Sequence, residues 1–270
     1  MHSVRVGFTD VTQLTSQLGA VQDVYGNGIS LSECRLLLVR EVPGGSLEQV
    51  IFRMDALHQL ENVGLRVVNS PYAIEKMVDK YYTLSLLQQS GLRVPETRVT
   101  EGFDQAMDAF RALGEDVVIK PLFGSRGVGM VRVSEVDTAG RVFRALQVGG
   151  YVYYLQKYIP HDNRDLRVLV VGDECVAAME RVATSWKTNV AAGAQPVHIE
   201  VTSELRNICL KASRTLGADY CGVDLMRNEE GDLLVLEVNS MPAWQGLQQV
   251  TSFDIAGRIA DYCLDVIPGK

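Results

Sequence analysis

The 270-residue sequence contains no uninterrupted apolar stretch near the roughly 18 residues needed to cross a bilayer. Its first residues, MHSVRVGFTD, lack the basic segment followed by an apolar one that marks a secretory leader, so a cytoplasmic protein without a membrane partner is expected. Positive charge is scarce and scattered: 26 Lys and Arg stand against 33 Asp and Glu, a net charge of -7. That excludes the electrostatic footprint of a nucleic-acid partner, and small anionic ligands would need local positive charge instead. Cysteine is sparse. Cys34, Cys175, Cys209, Cys221 and Cys263 are far apart, odd in number and mostly set in apolar runs, which excludes a disulfide framework or a zinc site and reads as reduced core thiols. His2, His58, His161 and His198 have no metal-ligand spacing and complete no Ser-His-Asp or Cys-His arrangement; each reads as structural or solvent-facing. No repeat, low-complexity segment, P-loop or dinucleotide glycine fingerprint is present.

What is present is globular: 47% hydrophobic and 22% charged residues, enough chain for two or three subdomains. The first 75 residues predict a small α/β unit, with strands at VRVGFT, RLLLVREV and LRVVNS and a helix from Leu47 to Asn62. A helix follows from about Asp79 to Gln89, with Asp79 able to cap its first turn and Gly91 placed to end it. Residues Phe103 to Leu113 read as helical, and Asp116 to Val133 as a hairpin interrupted by a glycine-rich loop. From Tyr151 come a strand, a strand pair around LRVLVVGDECVAAMER, a helix from Ser203 to Leu216, another hairpin and a terminal helix. The division expected is residues 1–75, 76–155 with the glycine-rich loop, and 156–270 with the last hairpin.

That last hairpin, YCGVDLMRNEEGDLLVLEVNS, is the most informative segment. A four-residue loop from Glu229 to Asp232 would pair Asn228 with Leu233, Val223 with Val238 and Leu225 with Leu236, giving one apolar face. The other face then holds Asp224 directly across from Glu237, at a Cβ separation of about 5 Å, with Asn239 one step along. Two carboxylates so placed repel unless a cation sits between them. Magnesium suits this arrangement, since it prefers oxygen ligands and uses one or two carboxylates while leaving positions for water and phosphates. A solvated polar face is the alternative.

In DVVIKPLFGSRGVGMVRV a β-branched run ends at Lys120, and Gly124, Gly127 and Gly129 precede a second extended run. Glycines there let backbone N–H groups approach an anion closely, as in a hairpin lid over phosphates; a glycine-rich turn without a ligand fits equally well. In YLQKYIPHDNRDLRVLV an apolar strand could turn beside a purine, and Asp165 and Arg167 share a face suited to a ribose hydroxyl and a phosphate, or to a surface ion pair. ERVATSWKTNVAAGA sets Arg181, Lys187 and Asn189 in or near a loop where they could meet a transferring phosphoryl group.

In this order the segments NSPYAIEKMVDKYYT, VPET, VVIKPLFGSRGVG, LQKYI, RDLRV, WKTNVAAGA, GVDL and LEVNSMP resemble the RimK-like ATP-grasp family, and the run from Gly44 to Pro71 is similar to glutamate ligases acting on methanopterin-type cofactors. The resemblance implies an α+β ATP-grasp fold behind a small α/β domain, and a homo-oligomeric ligase joining glutamate to a carboxylate acceptor with ATP and Mg2+, Mn2+ being an alternative ion. The acceptor expected is a one-carbon carrier cofactor of the methanopterin or methylofuran type, with an amino-acid biosynthetic intermediate or a protein C-terminus as alternatives, and a carboxylase, a kinase or a non-catalytic nucleotide-binding protein as rival readings. Residue by residue, it implies that Lys80 and Lys120 contact phosphates under a loop containing Gly124, Ser125, Gly127 and Gly129. Gln156, Lys157, Tyr158 and Ile159 would line the adenine pocket, with Asp165 near the adenosine. Asp224, Glu237 and Asn239 would hold magnesium, and Arg167, Arg181, Lys187 and Asn189 would face phosphate or carboxylate groups. Three positions depart from the family pattern: Lys187, where arginine is common, the Ala192-Gly193 pair, where a basic-glycine pair is common, and Ala243, where glycine is common. Lysine keeps the charge but loses the bidentate fork.

Overall fold

The computed structural model describes residues 5–124, 127–189 and 193–267; Ser125 and Ala192 lie outside them. Residues 5–9, expected as a strand, have no regular structure, and Val6 and Phe8 remain 70% and 90% exposed. An antiparallel meander comes first instead: β1 (Leu14–Gln17), β2 (Asp23–Gly26) and β3 (Ile29–Ser30). Its second turn is Asn27-Gly28 with both residues at positive φ, the geometry of a two-residue hairpin. Then β4 (Leu36–Leu38), α1 (Leu47–Asn62) and β5 (Arg66–Val68) form a parallel β–α–β unit. Ser46 and Gln49 close a capping box at the start of α1, and Met54, Leu57 and Leu60 bury its inner face against Val67 and Ile74.

Pro71 opens a helix the sequence pattern did not suggest, α2 (Pro71–Val78). Asp79 ends it and caps α3 (Lys80–Gln89), its carboxylate accepting from Tyr82 N at 2.9 Å. Next come β6 (Thr97–Thr100), α4 (Phe103–Ala112), β7 (Val117–Lys120), β8 (Val131–Val133), α5 (Val136–Val148) and β9 (Tyr153–Lys157). The strands form an antiparallel sheet in the order β6-β9-β7-β8, covered by α4 and α5 through the fully buried Phe110 and Phe143. Helix α5 was not foreseen, although Ala139 and Phe143 are buried on one face with Val142 and Leu146 packed beside them.

The rest builds a five-stranded antiparallel sheet, β12-β11-β10-β13-β14, from β10 (Arg164–Val171), β11 (Glu174–Val182), β12 (Gln195–His198), β13 (Tyr220–Arg227) and β14 (Leu233–Asn239). Helix α6 (Ser203–Leu216) and α3 cover one face, over Val168, Val170, Cys221, Val223 and Leu225. The opposite face divides along the strands. At one end Leu169, Val171 and Tyr220 lie under α7 (Gln245–Val250) and α8 (Ile255–Asp265). At the other end the same face carries Asp165, Arg167, Arg181 and Asp224, since side chains alternate along each strand. Asn69, just after β5, is fully buried and ties the parallel unit to this sheet: its Nδ2 donates to Tyr220 O and Ser240 O, and its Oδ1 accepts from Asp219 N and Tyr220 N. Cys175, Cys209, Cys221 and Cys263 are buried as free thiols, whereas Cys34 is exposed. Among the described residues no helix is long and apolar enough to cross a membrane.

Candidate active site

The hairpin register holds at its centre and differs at its loop. Val223 pairs with Val238 and Asp224 with Glu237, as the alternation requires, but Arg227 rather than Asn228 faces Leu233. The loop is therefore one residue longer on the β13 side, and a bulge at Asp224/Leu225 restores the phase by setting Leu225 against Val235. The expected Leu225–Leu236 pair does not form. Val235 and Val238 enter the core while Leu236 turns to the other face, beside Glu237.

On that face, pairing places Asp165 opposite Arg181, Arg167 opposite Asp224 and Asp224 opposite Glu237, so two acid–arginine pairs and one carboxylate pair span four adjacent strands. Arg181 donates Nε and Nη2 to Asp165 at 2.6 and 2.5 Å, and its Nη2 lies 3.2 Å from Asp224 Oδ2. Arg167 holds Asp224 by a second fork, both contacts at 2.6 Å. With its amide oriented to satisfy its neighbours, Asn239 donates to Glu237 Oε1 at 2.8 Å and accepts from Arg167 Nη2 at 3.2 Å. Asp165, Arg181 and Asp224 are buried, so each charge depends on its partner. Burial alone would raise the Asp224 carboxyl, but Arg167 and Arg181 outweigh it and hold its pKa below the ordinary value. Burial would lower Arg181, and Asp224 and Asp165 reverse that, keeping it firmly charged. A surface ion pair between Asp165 and Arg167 is thus not what forms; each pairs across the sheet instead.

Facing this row across a cleft is the four-stranded sheet. Lys120, at the end of β7, donates to Gln156 Oε1 at 2.6 Å, and the Gln156 amide is fixed from the other side by Thr97 Oγ1 at 3.1 Å. Burial lowers the Lys120 pKa to about 8, against the opposing pull of Glu237. Lys80 is lowered by burial too, and its Nζ donates to Gly124 O at 2.7 Å, tying α3 to the glycine-rich loop. Gly124, Gly127 and Gly129 all adopt positive φ, and a Cβ on Gly127 would sit 2.4 Å from Asn189 Oδ1, so that loop and the segment after β11 meet over the cleft. The space free of protein atoms between these walls, open solvent at the mouth included, is about 810 Å³.

Sequence-predicted residues on its walls are Lys80, Lys120, Gly124 and Gly127 on the loop side, then Gln156, Lys157, Tyr158 and Ile159 along one edge. Asp165, Arg181, Lys187, Asn189, Asp224 and Glu237 face them. Arg167 and Asn239 stand behind this wall, touching it through Asp224 and Glu237, and Gly129 packs toward Pro121. Asp165 reaches the cleft with its oxygens already engaged, since Thr188 Oγ1 also donates to its Oδ2 at 2.5 Å. Sequence reasoning missed Thr188, His161 and the apolar lining made by Val118, Met226 and Leu236. Met226 shares its strand parity with Asp224 and was findable; Leu236 reaches the cleft through the bulge, which no pattern announced.

The sequence profile of the RimK-like ATP-grasp domain matches residues 77–263. The chain belongs to that family. This ATP-grasp chain is 36% identical over 226 residues to the tetrahydromethanopterin:alpha-L-glutamate ligase of Methanocaldococcus jannaschii, covering 80% of this chain and 76% of the relative. It is also 36% identical over 208 residues to the ribosomal protein bS6–L-glutamate ligase of Escherichia fergusonii, covering 76% and 69%. In fold it matches the ATP-grasp ligase PsnB, solved with a precursor variant, Mg and ADP, with a TM-score of 0.70 at 22% identity over 93% of this chain and 85% of that one. The protein is accordingly an enzyme, an ATP-grasp ligase forming a C–N amide bond.

The donor set fits a hard divalent cation. Asp224, Glu237 and Asn239 offer oxygens on one strand pair, and Asp224 Oδ1, engaged by Arg167 alone, keeps a lone pair for a further partner. Among the described residues no group of three His, Cys, Asp or Glu gathers as a metal cage.

Proposed function

We propose that the protein uses ATP to join glutamate to a carboxylate-bearing acceptor, and that the acceptor is a one-carbon carrier cofactor of the methanopterin type. The observation that carries this reading is the juxtaposition, in one cleft, of two half-buried lysines under a glycine-rich loop with the Asp224–Glu237 carboxylate pair. Similarity to a tetrahydromethanopterin ligase over four-fifths of the chain supports the choice of acceptor. In this reading residues 76–155 supply the loop and lysines and 156–270 the carboxylates, within a homo-oligomer.

Adenine lies against Val118, Met226 and Leu236 and along the Gln156–Ile159 edge, where Arg132 clamps the Tyr158 ring from 3.4 Å. Lys80 and Lys120 neutralise the phosphates, which is most of what phosphoryl transfer asks of a protein. Asp224, Glu237 and Asn239 hold Mg2+, which when bound neutralises charge on the phosphate oxygens; Mn2+ suits the same oxygens. Arg181, Lys187 and Asn189 stabilise the transferring group. The acceptor carboxylate oxygen takes the γ-phosphoryl group, giving an acyl phosphate and ADP. The glutamate amine then attacks the acyl carbon, the C–O bond to phosphate breaks, and an amide, phosphate and a proton result. The Gly124–Gly129 loop excludes water that would hydrolyse the acyl phosphate.

Incubation with ATP, Mg2+, tetrahydromethanopterin and a panel of amino acids tests this. ADP release should depend on glutamate and the acceptor should gain the mass of one or more glutamyl residues. ADP formation indifferent to every amino acid would refute the ligase, and glutamate-dependent turnover with a different carboxylate alone would refute the acceptor.

A further inference from the structure

Arg40 stands two residues beyond the short parallel strand β4 and is exposed, yet it is held on several sides. Its Nη1 donates to Tyr220 Oη at 3.0 Å and its Nη2 to Pro242 O at 3.2 Å. The guanidinium carbon lies 4.1 Å from the centre of the Trp244 ring and 5.7 Å from that of Tyr220. Tyr220 is itself fixed, its hydroxyl donating to Val39 O at 2.7 Å. Arg40 pairs with no carboxylate among the described residues, including its neighbour Glu41. Two of its five N–H groups are used, so three remain in a planar fork whose orientation is already set.

Its place in the fold gives that fork a purpose. Tyr220, Gly222, Asp224 and Met226 share one face of β13, with Met226 at the nucleotide end and Asp224 in the carboxylate pair. Pro242, which anchors Arg40, packs over Gly222, where a Cβ would meet its own Cβ at 3.0 Å and Arg167 Nε at 3.9 Å. Gly222 stands one strand repeat, about 7 Å, from Asp224 on the side away from the nucleotide. Arg40 also lies outside the carboxyl end of a parallel strand, where α/β units open the crevices that take ligands. A preordered cation with unused donors, joined to Asp224 through Pro242 and Gly222 on the side away from the nucleotide, is the arrangement of a carboxylate receptor.

We infer that Arg40 binds a carboxylate of one of the two acidic substrates, the incoming amino acid or the acceptor's tail, beyond the Asp224–Glu237 pair. The inference rests on the ligase reading above. Its test needs no turnover: L-glutamate, and separately γ-glutamylglutamate as a tail probe, are titrated calorimetrically into full-length protein loaded with ADP and Mg2+. In Arg40→Met the affinity for one probe should fall about tenfold or more, the scale of losing a charge-assisted contact, with Arg40→Lys intermediate and ADP affinity unchanged. Loss for glutamate identifies the amino acid as the ligand, and loss for the dipeptide identifies the acceptor tail. Unchanged binding of both probes in Arg40→Met overturns the receptor while leaving the ligase reading intact. A parallel loss of ADP affinity also overturns it, since Arg40 would then merely support the fold. Wild-type protein that binds neither probe defeats the ligase reading and this inference with it.

Discussion

Raising the pH should loosen nucleotide binding through Lys120. In the free enzyme burial lowers its pKa to about 8, so near pH 8 it is charged half the time. A bound phosphate raises the pKa again, because an opposite charge at contact favours the protonated form. Binding therefore takes up a proton wherever the free lysine has lost one. Between about pH 7 and pH 9.5 the charged fraction falls from about nine-tenths to about 3%, which predicts a roughly 30-fold loss of affinity, or about 2 kcal/mol. Calorimetry of ADP binding in buffers of different ionisation enthalpy measures this directly, with an uptake of about half a proton per nucleotide near pH 8. Lys120→Met should bind more weakly at pH 7 and lose the steep dependence. A flat affinity profile in the wild type, or an unchanged slope in Lys120→Met, would refute the placement of this lysine on the phosphates. The same shift acts on stability. The unfolded chain holds a proton here that the folded chain has released between about pH 8 and the ordinary 10.5, so this group's contribution to stability grows as pH rises through that window.

Gly127→Val forces a β-branched residue to φ +71 and drives its Cβ into Asn189 Oδ1; turnover should fall about tenfold or more, with a smaller loss of thermal stability, and an unchanged rate would count against a closing loop. Asn69→Ala leaves two backbone N–H and two C=O groups buried without their partner, at a cost of about 3 kcal/mol or more. The melting temperature should drop by roughly 6–12 °C, and a shift under about 2 °C would show that other groups or water replace the amide.

Local rules reached far into this protein. Helix α1 runs from Leu47 to Asn62 and α6 from Ser203 to Leu216 as the apolar spacing and caps indicate, and Asp79 caps α3 through its own carboxylate. Strand alternation alone set Asp224 against Glu237, since any one-residue slip there would bury charge and expose valine. Failures came where pattern is weak or compensated. Residues 5–9 alternate like a strand but pair with no strand among the described residues, and α5, whose apolar face is plain in Ala139, Val142, Phe143 and Leu146, was passed over. The longer loop and the bulge in the last hairpin cancel at Asp224, so the central pair was legible for a register whose ends were not.

Residue types and their spacing along the chain thus determined which side chains could share a face: the lysine and glycines of one hairpin, Asp165 with Arg167, Asp224 with Met226. Which of those faces meet was decided by the packing of separate elements. Arg181 reaches Asp165 because β11 lies beside β10, Lys80 meets the glycine-rich loop across two helices and two strands, and Arg40 comes beside the last hairpin from 180 and 202 residues away through Tyr220 and Pro242. Side-chain alternation is a property of each strand, written into its own residues. Adjacency between strands is set by loop closure and core packing over long separations, which short-range periodicity does not encode.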